Sequence, residues 1–269
     1  MRSLEAELAD ARSLSVTDLA DAIESIGFEC TRCGDCCTGH GEDEHTATVF
    51  PDEIRILVDD SESPADGEVA KSTLADRNGG TSNASGADLG TASSADREWR
   101  DVARPMPYGL AEGEDGLEGE TLEWALRTDG CGDCTFYEEA DAGVGACAVH
   151  DDRPLICRTY PFSVALDGDS SEQSADASES DLAEEGQSMG EPADEEGVVR
   201  THECEGLGRE IPRADAEDLA RALKGRAIRE REEAIALRDA YEPANPNPGE
   251  IVVHDSEGAK RADGTPLER

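Results

Sequence analysis

The sequence predicts a small, irregular, α-rich α+β domain organised around a cysteine site and interrupted by disordered acidic insertions. Three observations carry this reading. Apolar residues recur at helical spacing near both ends of the chain, with short strand-like runs between them. Two long segments almost lack large apolar residues. Nine cysteines occupy the rest, and four of them fall within residues 30–37.

The elements follow in chain order. Leu4 and Leu8 are four apart, and Val16, Leu19, Ile23 and Ile26 share one face of a second helical piece. Ser15 or Thr17 can cap that piece, and Gly27 is a good stop. After the cysteine loop, Thr46–Phe50 suits a short strand. Pro51 suits the first turn of a helix, Asp52 and Glu53 suit its positive end, and Ile54, Leu57 and Val58 form its apolar stripe. From Asp59 to Arg97 the pattern collapses into Ser, Gly, Ala, Asp and Asn, which reads as a disordered insertion. Alternation around Leu122, Trp124 and Leu126 predicts a strand running into a Gly turn. Pro154 and Pro161 exclude a long helix between the later cysteines. Asp167–Gly197 reads as a second acidic insertion, and Val198 and Val199 restart structure. A last helix is expected from Asp215 to Tyr241, with Leu219, Leu223, Ala227 and Ile235 on a broken stripe and Glu217–Arg221 as an i,i+4 ion pair. The remaining Pro-rich segment reads as a tail.

These boundaries divide the chain into an N-terminal helical and cysteine-loop segment (1–58), an insertion (59–97) and a second cysteine-bearing segment (98–166). A second insertion (167–197), a last cysteine with the C-terminal helix (198–241) and a tail (242–269) follow. Without insertions and tail, roughly 170 residues remain, an ordinary size for one domain.

The charge narrows the partners. Charged residues make up 33% of the chain, aromatics 4%, and the formal net charge is −40. The positive charge is almost all Arg, with Lys only at Lys71, Lys224 and Lys260. Acid-rich, lysine-poor composition fits a high-salt cytoplasm, where a Debye length of ~3 Å at about 1 M salt screens acid–acid repulsion. No basic cluster faces phosphates, so nucleic acid is not an expected partner. No apolar run approaches the ~18 residues of a membrane span, and the acidic N-terminus does not fit a signal peptide. The expected location is the cytoplasm, where thiols stay reduced and grouped cysteines point to metal.

The first cysteine group is Cys30-x2-Cys33-x2-Cys36-Cys37. Its C-x2-C-x2-C spacing is that of the first three ligands in a bacterial ferredoxin run. Adjacent Cys36 and Cys37 strain when both bind one tetrahedral ion, so they suit different metals, or one stays a free thiol. The second group comprises Cys131, Cys134, Cys147, Cys157 and Cys204. That total exceeds one four-ligand site and fits two sites, or one cluster with spare thiols. His40, His45, His150 and His202 lie near cysteines, but polar loop histidines are more often solvated, and none is taken as a ligand.

These strings resemble the YkgJ-type cysteine-cluster (CxxCxxCC) family. The resemblance is carried by "CTRCGDCC" at 30–37, "CTFYEE" at 134–139, "CAVHDDRPLICRTYPF" at 147–162 and "CEGLG" at 204–208. It implies eight ligand-type cysteines, Cys30, Cys33, Cys36, Cys37, Cys134, Cys147, Cys157 and Cys204, with Cys131 as an extra. It also implies a zinc or iron chelator, or an iron–sulfur oxidoreductase without an assigned substrate. In the RPxxCRxxPF string, Arg153 and Arg158 flank Cys157, where guanidinium groups would offset thiolate charge.

Two functions are therefore expected. One is a redox-active protein carrying [4Fe–4S] clusters and serving a redox or protein partner. The other is a non-catalytic binding module stapled by Zn2+. No nucleotide, flavin or S-adenosylmethionine motif occurs, and whether the chain is an enzyme stays open.

Overall fold

The computed structural model describes residues 2–39, 44–59, 97–113, 116–140, 144–166 and 194–267. The expected acidic insertions fall almost wholly outside the described residues.

Helix α1 (Leu4–Ser13) starts where the Ser3 hydroxyl accepts the Ala6 amide. Helix α2 (Val16–Ile26) starts on Ser15, whose hydroxyl accepts the Asp18 amide at 3.3 Å. Its apolar stripe, Leu19, Ile23 and Ile26, is buried. Both helices lie on the long helix α6 (Arg213–Ala240), which buries Ala216, Ala220, Leu223 and Ala227. The three alanines let the helices approach closely, and ion pairs close the rims: Arg213 holds Asp21 and Glu24, and Arg12 holds Glu232. The expected Glu217–Arg221 pair forms at 3.0 Å. Phe162 and Val199 complete this core from the sheet side.

A second core lies under the cysteines. Helix α3 (Pro51–Val58) buries Ile54 and Leu57, and the short helix α4 (Trp99–Val102) adds Val102. They pack with Val49, Trp124, Leu126, Phe136, Val149 and Val253. Three antiparallel strands, β1 (Thr48–Val49), β5 (Trp124–Leu126) and β2 (Ala103–Pro105), run in the order β1-β5-β2 across it. The strand expected around Leu122–Leu126 is shorter than its pattern suggested: Leu122 is exposed, and pairing begins at Trp124.

Three further sheets are small. Strand β8 (Phe162–Val164) pairs with β10 (Val199–Thr201), which also pairs with β9 (Asp194–Glu196). Strand β9 thus occupies the end of the segment read as an insertion. Strands β6 (Tyr137–Glu139) and β7 (Gly145–Cys147) form a hairpin that carries Cys147. Between α5 (Leu155–Thr159) and β8 the chain turns through a cis Tyr160–Pro161 bond.

The segment expected as a Pro-rich tail is folded. Strands β11 (Ile251–Asp255) and β12 (Gly258–Arg261) form a hairpin, and β11 pairs in parallel with β4 (Gly116–Thr121), itself hairpinned to β3 (Leu110–Gly113). The buried ends of this hairpin are polar but satisfied. Asp255, 5% exposed, accepts from Trp124 Nε1 at 2.9 Å and from Lys260 Nζ at 2.6 Å. His254 meets Glu120 at 2.7 Å. The Ile-Val-Val run is the sequence signal for this strand; the Pro- and Asn-rich approach at 243–248 masks it.

No described helix is long and apolar enough to cross a membrane.

Candidate metal centre

The Cys134, Cys147 and Cys204 segments are stitched by backbone to the loop that follows α2. The loop leaves α2 at Gly27, φ 78°, where a Cβ would sit 2.4 Å from the Arg209 carbonyl oxygen. Phe28 bridges Leu207, and the Glu29 amide donates to Gly206 O at 3.0 Å, so the Cys30 end lies against the Cys204 segment. Arg32 O accepts the Gly145 amide at 2.7 Å, which brings the start of β7 against the loop at Arg32. Gly34, φ 90°, opens a single 3-10 turn over Asp35–Cys37; its missing side chain leaves room for Tyr137, whose hydroxyl would lie 2.3 Å from a Cβ there. Finally, Cys37 O accepts the Cys134 amide at 2.8 Å.

Cys157 arrives differently. It lies on the one-turn helix α5, whose first amide, Leu155 N, donates to Glu53 Oε1 at 2.8 Å. The other carboxylate oxygen of Glu53 accepts the Phe50 amide at 3.0 Å and closes the start of α3. One side chain therefore joins α3 to the helix that presents Cys157. Burial pushes the Glu53 carboxyl up from its ordinary value. The sequence places Glu53 at a helix start; its second partner, 102 positions away, is not readable there.

The thiols converge on two adjoining cavities of about 550 and 530 Å³. The first is lined by Cys36, Cys37, Cys134, Cys147 and Cys157. The second is lined by Cys30, Cys33, Cys36, Cys37, Cys147, Cys157 and Cys204. All eight expected cysteines thus face one or both. Cys131 lines neither; it is exposed in a turn where its amide donates to Asp129 at 2.7 Å. The Sγ atoms of Cys36 and Cys37 lie 3.8 Å apart. Among the described residues, no three Cys, His, Asp or Glu side chains are preset around one ion.

Without a cation the site disfavours thiolates. The hydrogen bond to Cys37, then burial, pushes the Cys36 thiol up. Burial pushes Cys134 up to about 11. Burial, then the charges of Cys134, Cys147 and Cys36, raises Cys157. Burial, then Cys33, Cys36 and Cys30, raises Cys204, although the Gly206 amide donates to its sulfur at 3.4 Å. Crowded thiols that resist ionisation together are those a bound cation would deprotonate, with release of protons. In donor chemistry, eight thiols fit zinc or iron.

Arg153 lines both cavities, and its charge works to lower the Cys36, Cys147 and Cys157 thiols. Its Nε donates to His150 O at 3.0 Å. Arg158 is exposed and lines the second cavity. The sequence reading missed Tyr137, Tyr160 and Arg226. Tyr160, pushed up to about 12 chiefly by burial, donates to Glu203 O at 2.7 Å and stacks on His202. Arg226 donates to Thr159 Oγ1 at 3.1 Å and reaches the first cavity from α6. Arg226 lies outside every motif string, and Tyr160 falls on a variable position of RPxxCRxxPF. His45 places Nε2 3.1 Å from Cys36 O, while His40 lies outside the described residues.

The sequence profile of the CxxCxxCC family, described as "Putative zinc- or iron-chelating domain", matches residues 29–205. The chain belongs to this family. The CxxCxxCC match begins one residue before Cys30 and ends one after Cys204, so it spans every cysteine of the two cavities. Helix α6 and the β11–β12 hairpin lie beyond it. No curated protein and no solved structure matches the chain.

Proposed function

We propose that this protein is a thiolate metalloprotein in which Cys30, Cys33, Cys36, Cys37, Cys134, Cys147, Cys157 and Cys204 hold [4Fe–4S] clusters that serve electron transfer in the cytoplasm. One observation carries the thiolate reading: eight cysteines from four separate segments line two adjoining cavities, and the ninth lines neither. The cavities support clusters over a lone ion. They leave room beside the thiols for inorganic sulfide. When bound, a cluster supplies one-electron chemistry. The protein's own groups offset its negative charge through Arg153 and shield it with Tyr137, Tyr160 and Phe136.

A second reading, a non-catalytic binding module stapled by zinc, is favoured by the 3.8 Å between Cys36 Sγ and Cys37 Sγ. That is the edge of a tetrahedron with metal–sulfur bonds of about 2.3 Å. Purification without oxygen in high salt, followed by assay of iron, acid-labile sulfide and zinc with an optical spectrum, separates the two. Iron with equimolar sulfide and broad visible absorption is the expected result. Zinc without sulfide would replace the first reading with the second, and neither metal would overturn both.

A further inference from the structure

We infer that the eight thiols divide into two four-thiolate centres, one formed by Cys30, Cys33, Cys36 and Cys204 and the other by Cys37, Cys134, Cys147 and Cys157, with the adjacent pair split between them. This rests on the thiolate reading above and adds which sulfurs act together.

Backbone pairing, cavity lining and apolar packing give the division. The backbone stitches Phe28 and Glu29 to Leu207 and Gly206, which puts the Cys30 end of the loop beside Cys204. Cys204 lines the second cavity with Cys30 and Cys33, and none of these three lines the first. Cys134, in contrast, lines the first cavity and not the second. Cys37 goes with Cys134: its carbonyl oxygen accepts the Cys134 amide at 2.8 Å, and Cys37, Cys147 and Cys157 all pack against the apolar cluster that contains Cys134.

Cys36 is then the fourth thiol of the first set. It is exposed, whereas Cys37 is half-buried against that apolar cluster. It lines the second cavity with Cys30, Cys33 and Cys204. It lines the first cavity as well, which places it at the border of the two sets. Neighbouring residues, strained when they share an ion, meet the geometry without strain when each faces its own centre. Arg153, which lines both cavities, sits at the border and offsets charge on either side.

The test compares metal content in the full-length wild type, Cys204→Ser, Cys134→Ser and the double variant, each purified without oxygen in high salt. Two centres predict that each single variant keeps half the wild-type metal and the double variant keeps none. Loss of all metal in each single variant would overturn the division while leaving the thiolate reading intact. Wild type without metal would overturn both. A readout on the unmutated chain guards against variants that misfold. Protein stripped of metal receives Zn2+ enough for half the thiols, is alkylated, and is mapped by peptide mass. In each molecule that keeps four unmodified cysteines, those four are expected to be one of the two named sets. Single molecules that keep four unmodified cysteines drawn from both sets, such as Cys30 with Cys134, read by fragmenting the separated intact species, overturn the division.

Discussion

Replacing Glu53 with alanine should loosen the helix that presents Cys157 while touching no thiol. Both carboxylate oxygens are used, one on the Leu155 amide at 2.8 Å and one on the Phe50 amide at 3.0 Å. Alanine leaves both donors without a partner in a part-buried setting. A buried donor left unpaired costs about 1–3 kcal/mol. Water reaches part of this site, so the lower half of that range applies to each amide, giving about 2–4 kcal/mol together. That is a large share of the 5–15 kcal/mol that holds a typical domain. Glu53→Gln keeps one acceptor oxygen and turns an NH2 toward the other amide, so it should fall between wild type and alanine. The assay is urea unfolding in high KCl, followed by far-ultraviolet circular dichroism, beside metal content of the purified proteins. Alanine should lower the midpoint and weaken metal retention, with glutamine intermediate. An alanine variant that unfolds at the wild-type midpoint and keeps all its metal would refute the claim that Glu53 fixes α5.

Three further outcomes are expected. Gly34→Ala combines a left-handed backbone, costing about 1–2 kcal/mol for an L-residue, with a Cβ placed 2.3 Å from the Tyr137 hydroxyl oxygen; its purified metal content should fall, and full content would show that the turn tolerates a side chain. Lys260→Met strips Asp255 of its buried cation and should destabilise the C-terminal hairpin by about 3–5 kcal/mol, read as a lower thermal midpoint; an unchanged midpoint would mean the hairpin is not part of the cooperative fold. The Glu257 carboxyl is held down at about 2, chiefly by Arg55 and also by Lys260. Its folded value lies below its ordinary 4.5, so its stabilising contribution is present above pH 4.5 and is lost as pH falls toward 2. Glu257→Gln should therefore flatten the acid limb of the stability profile over that window, and an identical limb would contradict the pairing.

Local signals made the helices legible. Ser15 caps α2, Pro51 opens α3, and the buried stripes fall on Leu19, Ile23 and Ile26 and on Ile54 and Leu57. The last helix runs from Arg213 to Ala240, two residues earlier at its start and one at its end than its pattern suggested. Long-range pairing was not legible. The β11–β12 hairpin lies in a segment whose prolines and asparagines suggested a tail, and β11 finds its parallel partner more than 120 residues upstream, where no local pattern records it. The same limit holds at the cysteines. Spacing and the family resemblance singled out the eight thiols. The contacts that collect them, Arg32 to Gly145, Cys37 to Cys134 and Glu53 to Leu155, are backbone bonds or bonds to backbone, and these leave no residue-type signature. Tyr160 and Arg226 reach the cavities from a variable position of RPxxCRxxPF and from a helix read only for its broken apolar stripe.

The central claim is that eight cysteines hold metal and the ninth does not. Metal per protein, measured for nine single Cys→Ser variants purified identically without oxygen, tests it most directly. Cys131→Ser should match wild type, and each of the other eight should lose metal. A Cys131→Ser variant as depleted as the rest, or a Cys157→Ser variant at full occupancy, would contradict the account.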